Sequence, residues 1–452
     1  MKDYITAVND PRANPGDRLA ALREAVTENP PKTPKTGEIN NHIHTIYSFS
    51  PYTPAMAALA AREAGLEAAG SVDHDSIAAA EEMIAACGIL GIGGCAGFEV
   101  RVSFRDVAGS PGPFADRKIN NPDSEGIVYM TVQGVPAPKI PLVRDFLTPV
   151  REERLRRTRK MAEGAGVILA EGGLEGIDFE EDIVNKSQYA GGGEITERHL
   201  LRAAADKLVK KYGKGPALVE GLARVFGVRP PAKIAAYLSD PGNPHYSFDL
   251  LGILKSAFLS RIFIQPGEKE CIPAKEVVDF ARSVGAVPAY AYLGDVGESP
   301  TGDKKAEKFE DDFIEELFDA LARTGFQAVT YMPPRNTAEQ LRRVRRLCGE
   351  RGFMEISGVD INSSRQSFNC PEVLREEFRH LIDTTWALIA HERLASADGR
   401  FGLFSPENPL AGKSLAERLA AYAAAGRDLD LKHPEDSGIE VSTRLLQGRY
   451  LS

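Results

Sequence analysis

The stretch Glu38-Ile39-Asn40-Asn41-His42-Ile43-His44 decides the fold. Its apolar part reads as a short strand, along which side chains at i and i+2 share a face. Both imidazoles then converge at the strand's carboxyl end in a metal-chelating arrangement. Two surface histidines in a polar loop are the competing reading of an isolated His-x-His. The rest of the chain argues against it, because only eight histidines occur in 452 residues and a third, His74, sits in Asp73-His74-Asp75 behind a second apolar segment, Ala68 to Val72. Between them, Thr53 is a plausible N-cap and Pro54 a first helical residue for a helix that Gly65 ends. Another helix is expected from about Ser76 to Cys87, and the following stretch ends in Gly97-Phe98-Glu99-Val100. Three successive strand ends thus deliver His42 and His44, then His74, then Glu99. In parallel α/β barrels sites assemble at the carboxyl ends of the strands, so the pattern predicts such a barrel with a metal site at its mouth.

Working outward, residues 1–36 form an entry segment with an amphipathic helix over 17–27 and a Pro-rich break from Pro30 to Pro34. The first part of the barrel spans 37–148. Residues 149–255 change character: they are rich in Arg, Lys, Glu and Ala, with helical patterns at 150–165, 196–213 and 215–225, and read as a mostly helical insertion. Strand-helix alternation resumes over 256–395, with strands at 286–292, 328–331 and 353–359, the last delivering Asp360-Ile361-Asn362. Residues 396–452 hold one Ala-rich helix near 414–426 and a polar tail.

With 43% hydrophobic and 26% charged residues the chain has the composition of a globular protein able to bury a sizeable core. A net charge of −9 gives no basic footprint for extended nucleic acid, though it leaves room for a local phosphate pocket. Five cysteines without C-x-x-C spacing argue against a disulfide framework or a zinc ribbon and fit a reducing, cytoplasmic setting. Met1-Lys2-Asp3-Tyr4 opens no basic-then-apolar signal, and no uninterrupted apolar run approaches about eighteen residues, so neither export nor membrane insertion is expected.

The His-x-His after a first strand, Asp-His-Asp after a second, Gly-Phe-Glu after a third and the late Gly358-Val359-Asp360-Ile361-Asn362 resemble the polymerase-and-histidinol-phosphatase (PHP) family, and within it the bacterial nucleotide phosphoesterases. The resemblance covers residues 37–148 and 256–395. It implies a distorted parallel barrel of seven strands with a helical insertion, and hydrolysis of phosphoric esters by metal-activated water. It also implies that His42, His44, Glu99 and Asp360 surround one ion, with His74 belonging to another. The cofactors implied are one to two divalent ions, manganese, zinc or iron, since imidazoles and carboxylates suit all three. Four ligand positions of the family are replaced. Phe49 stands where an aspartate is usual, and Gln133, Tyr292 and Asn362 stand where histidines are. Gln133, Tyr292 and Asn362 retain weak oxygen-ligand or hydrogen-bonding capacity, and Asp295 either stands in for a lost ligand or caps the next segment.

Glu197-Arg198-His199 resembles the segment with which the phosphoesterases meet the substrate phosphate, so Arg198 is a candidate clamp. An exposed helix arginine with an interior histidine is the alternative. Arg365, Arg335, Lys304 and Lys305 are further candidates for the mouth, the two lysines also reading as a solvated loop. His74 and Asp75 are the candidates for assisting proton transfer. Two functions follow: a metal-dependent phosphoesterase acting on a small phosphorylated metabolite or nucleotide, or a degenerate relative that binds metal or a phosphorylated ligand without efficient hydrolysis. A hydrolase of C–N bonds on a related barrel fits less well, because the expected lysine or late histidine ligands are missing from the strand ends.

Overall fold

Ile39–Ile43 forms β1, buried along its whole length. In this computed structural model, which describes residues 4–296 and 307–450, β1 pairs parallel with β2 (Ala68–His74), and β2 with β3 (Gly93–Ser103). β4 (Ile127–Gln133) is followed by β5 (Val287–Ala291), β6 (Ala328–Tyr331) and β7 (Met354–Ser357), the last three mutually parallel. The seven strands lie in chain order in one sheet. That sheet curls until the chain just past β7 meets β1: His44 N–H donates to Ile361 O at 2.9 Å and Ile361 N–H to His42 O at 3.1 Å. Gly358 permits this approach, since a Cβ there would lie 2.5 Å from His42 Cβ. The result is a mixed α/β chain with a nearly closed, barrel-like sheet.

The expectation of an all-parallel barrel needs correction at β4, which runs antiparallel to both neighbours. Parallel neighbours need a crossover, usually a helix, to carry the chain back to the starting end. Residues 104–126, between β3 and β4, form no helix, so the next strand simply runs down the sheet. The chain then leaves the bottom of the barrel in one helix, Ile140–Glu171, with Pro149 inside it rather than at its start. At 32 residues it is about 48 Å long, enough to rise past the mouth. There it joins Glu197–Tyr212, Pro216–Phe226, Ala232–Ser239 and Tyr246–Ile262 around a separate core that includes Met161, Leu208, Leu254 and Phe258.

Thr53 caps the helix Pro54–Glu63 by accepting from Met56 N–H. At the amino end, the helix Pro15–Glu28 is pinned to Ala80–Leu90 by Arg18 and Glu82, both side chains 1% exposed. Two guanidinium nitrogens of Arg18 reach the two carboxylate oxygens at 2.9 and 2.6 Å, and Glu82 also accepts from Ala55 N–H. Beneath the barrel lies His380–Ala397, apolar on most sides because Leu415–Arg427 and Pro434–Leu446 cover its outer face. The second of these occupies what the sequence suggested was a polar tail. Among the described residues no helix is long and apolar enough to cross a membrane.

Breaking a buried pair strands the surviving charge, so Glu82→Ala is expected to lower unfolding stability by about 3–5 kcal/mol. Denaturant titration checks this, and a loss below about 1 kcal/mol, the range of exposed pairs, would show that the pair does not hold the amino-terminal helix.

Candidate metal centre

β1 presents His42 and His44, β2 ends on His74, and parallel pairing sets His74 directly beside Glu99 of β3. The seam that closes the sheet adds Asp360. His42 Nε2 lies 3.6 Å from Glu99 Oε1, and His44 Nε2 lies 3.4 Å from Asp360 Oδ1 and 3.9 Å from Glu99 Oε2. His74 Nδ1 is 2.8 Å from Glu99 Oε2. Donors that each stand about 2.1 Å from one ion are about 3.4 Å apart at the tetrahedral angle, so these spacings suit a shared cation. The donors resolve into two triads that meet at His44: His42, His44 and Asp360, and His44, His74 and Glu99. His74 therefore stands with the other four residues, not apart from them.

Burial pushes the imidazoles of His44 and His74 down to about 3, helped at His44 by the charge of His74 and at His74 by that of Arg154. Both rings are neutral at neutral pH, the state in which an imidazole ligates. Burial raises the Glu99 carboxyl. Burial acts on Asp360 as well, but the facing His44 and His42 and then Arg198 outweigh it and hold that carboxyl below the ordinary range. Imidazole nitrogens and two carboxylates at a buried to half-buried seam are a donor set for manganese, iron or zinc.

The surrounding hydrogen bonds hold these side chains in place. Asn40 Oδ1 accepts from His42 N–H at 2.9 Å and Val359 N–H at 3.0 Å, stitching the histidine strand to the Asp360 segment. Asn362 Nδ2 donates to Asp360 Oδ1 at 2.6 Å, so this residue orients the carboxylate through its amide nitrogen. Phe49, where the sequence resemblance places an aspartate, adopts a left-handed backbone (φ 75°) and turns its ring toward the insertion, against His199 and Phe248.

Several sequence candidates lie elsewhere. Gln133, the last residue of β4, pairs with Gly97 midway along β3 and with Val287, the first residue of β5, because β4 runs antiparallel, and its amide donates to Thr131. Tyr292 donates to Asp311 Oδ1 at 2.6 Å. Asp295 accepts from Phe309 N–H at 2.7 Å, which caps the next segment. Asp295 belongs to no candidate ligand group among the described residues. Asp75 is buried and its carboxylate receives Arg154 at 2.6 Å, so an ion pair occupies the group expected to move protons. Arg365 grips Asp249 with two bonds of 2.6 and 2.7 Å and stacks on Tyr237, docking the insertion onto the Asp360 loop. His199 accepts from Thr196 N–H at 3.0 Å in a helix-capping role, and burial keeps its ring near 3. Arg335 donates to Leu293 O. Lys304 and Lys305 lie outside the described residues. Arg198, like Arg335, has no ion pair among the described residues: half-buried, it donates to Asn362 O at 3.3 Å and has no carboxylate within 4.0 Å among the described residues.

Sequence reasoning missed a buried ion network behind the site. Arg154 and Arg157, from the long helix, meet Glu197 at 3.1 and 2.6 Å, and Arg157 meets Glu270 at 2.6 Å. Arg101 on β3 pairs with Glu270 and approaches Glu197 at 3.7 Å. The three cations hold Glu197 ionised in spite of its burial. The available signal was the spacing of Arg151, Arg154 and Arg157, which places three arginines on one face of the helix; all three are buried.

No family model matches the chain, and no curated protein matches it. Two solved structures are similar over much of it. One, assigned as a metal-dependent phosphoesterase from Bifidobacterium adolescentis, has 18% identity and a TM-score of 0.47, covering 75% of this chain and 93% of its own. The other, an amidohydrolase from Chromobacterium violaceum with bound sulfate and no metal, has 19% identity and a TM-score of 0.46, covering 76% and 95%. At this distance neither assigns an activity to the chain.

The geometry separates the candidate ligands from residues engaged elsewhere. His44→Ala, which breaks both triads, is expected to abolish stoichiometric binding of manganese or zinc, while Gln133→Ala and Tyr292→Phe leave it unchanged. Elemental analysis after equilibrium dialysis reads both, and a loss of metal in Gln133→Ala or Tyr292→Phe would contradict the assignment.

Proposed function

We propose that the chain is a metal-dependent hydrolase of phosphoric esters of the PHP type, using one to two manganese, zinc or iron ions. The observation that carries this reading is the convergence of the buried His42, His44 and Glu99 and the half-buried His74 and Asp360, from three strand ends and the closing seam. A divalent ion held there supplies an acidified water and polarises a phosphoryl oxygen.

The chain's own residues account for substrate handling. Arg198 stands over Asp360 and His74, close enough to influence both electrostatically. With one N–H on Asn362 O, its remaining guanidinium donors are free for a phosphate. The arginines behind it are ion-paired with Asp75, Glu197 and Glu270, so they set the wall of the site and leave the anion to Arg198. Because the helical insertion sits across the mouth and the net charge is −9, the substrate is a small phosphorylated metabolite or nucleotide; extended nucleic acid and membrane are not partners in this reading. Five buried free cysteines support a cytoplasmic setting.

A binding-only function is the second reading, favoured by two observations: Phe49 faces the insertion where the resemblance has a carboxylate, and Asn362 donates to Asp360 where it has a histidine ligand. Steady-state hydrolysis of generic phosphomonoesters, phosphodiesters and nucleotides with manganese, zinc, iron and magnesium distinguishes the two. The phosphoesterase reading expects metal-dependent turnover, with Arg198→Ala raising KM about tenfold or more, the scale of a lost charged hydrogen bond. Stoichiometric metal without turnover on any substrate selects the binding-only reading.

A further inference from the structure

Asp73 is 1% exposed and receives three donated hydrogens. Thr45 N–H reaches Oδ1 at 2.7 Å, Thr45 Oγ1–H reaches Oδ2 at 2.6 Å, and Ser48 Oγ–H reaches Oδ1 at 2.6 Å. A carboxyl group with hydrogens arriving at both oxygens is acting as an acceptor, as a carboxylate does. Ser48 has one hydroxyl hydrogen, and it is directed at Asp73. Toward His44 Nδ1, 3.2 Å away, the hydroxyl therefore offers only a lone pair. That contact is a hydrogen bond only if Nδ1 carries the proton, which leaves Nε2 unprotonated. Nε2 is the nitrogen facing Asp360 Oδ1 and Glu99 Oε2.

We propose that Ser48 and Asp73 are positioning residues that lock His44 in its Nδ1–H tautomer and so present the Nε2 lone pair to a divalent cation. Without Asp73, the Ser48 hydroxyl would be free to rotate and donate to Nδ1. That would favour the Nε2–H tautomer, whose proton blocks the face shared by both triads. A buried carboxylate behind a ligating imidazole, here relayed through one hydroxyl, also makes the imidazole a more basic donor. The inference rests on the metal-site reading above, and it explains why a costly buried carboxylate stands beside His74 without joining either triad.

Two measurements on the full-length protein test it. Long-range nitrogen–proton NMR of the metal-free wild type, with the His44 signals identified by their loss in His44→Gln, is expected to show a protonated Nδ1 and an unprotonated Nε2. Calorimetric titration with Mn²⁺ or Zn²⁺ is expected to show Ser48→Ala and Asp73→Asn binding about ten- to a hundredfold more weakly than wild type, with the stoichiometry retained. A wild-type Nε2–H tautomer, or Ser48→Ala binding within twofold of wild type, overturns the proposal. The tautomer measurement needs neither variant to fold. A wild type that binds no metal at all overturns the site reading instead, and the tautomer still decides whether the relay exists.

Discussion

Two backbone hydrogen bonds, from His44 to Ile361 and from Ile361 to His42, join the beginning of the sheet to its end at the point where the candidate ligands meet. Curling seven strands brings residues more than three hundred positions apart into contact, and this seam fixes the distance between the histidine strand and Asp360. Asn40 reinforces it with its own side chain, donating to Val359 O and accepting from Val359 N–H. The closure of the sheet and the assembly of the site are thus one event. Gly358 is required for both, because any side chain there would strike His42.

The insertion is tied to the barrel by the loops that carry the site. Arg154 holds Asp75, Ser76 donates to Gly192 O, Glu194 N–H donates to Tyr47 O, and Arg365 holds Asp249. The loops after β1, β2 and β7 are each fastened from above in this way. Burial makes such ties strong only while every charge is matched, and the network of Arg101, Arg154 and Arg157 with Asp75, Glu197 and Glu270 sets three cations against three carboxylates. Arg198 and Arg335 both act on Asp360 and have no ion pair among the described residues.

The parts of this arrangement that depend on local chemistry were legible in the sequence. His-x-His at a strand end, the Thr53-Pro54 helix start and the alternation of strands and helices are short-range signals, and the structure places them where they point. Strand direction is different, since an alternating or apolar run reads the same up or down the sheet; β4 could be oriented only by noticing that residues 104–126 contain no helix to reverse the chain. The roles of Gln133 and Tyr292 depended on that direction and on packing with Asp311, neither visible in a linear pattern. The ion pairs of the arginine-rich helix could not be read from the linear pattern, because its carboxylate partners lie 40 to 113 residues away. Ser48 and Asp73 passed unnoticed for a related reason: ligand types announce themselves, while the residues that aim them are ordinary polar side chains.

In the proposed site His42, His44 and Asp360, with Glu99 and His74 beside them, hold a divalent cation at the closing seam. Anomalous diffraction from crystals grown with manganese or zinc tests this most directly. The expected result is an ion about 2.0–2.3 Å from His44 Nε2 and from donor atoms of His42 and Asp360. An ion located elsewhere, or no anomalous peak at this seam under saturating metal, would contradict it.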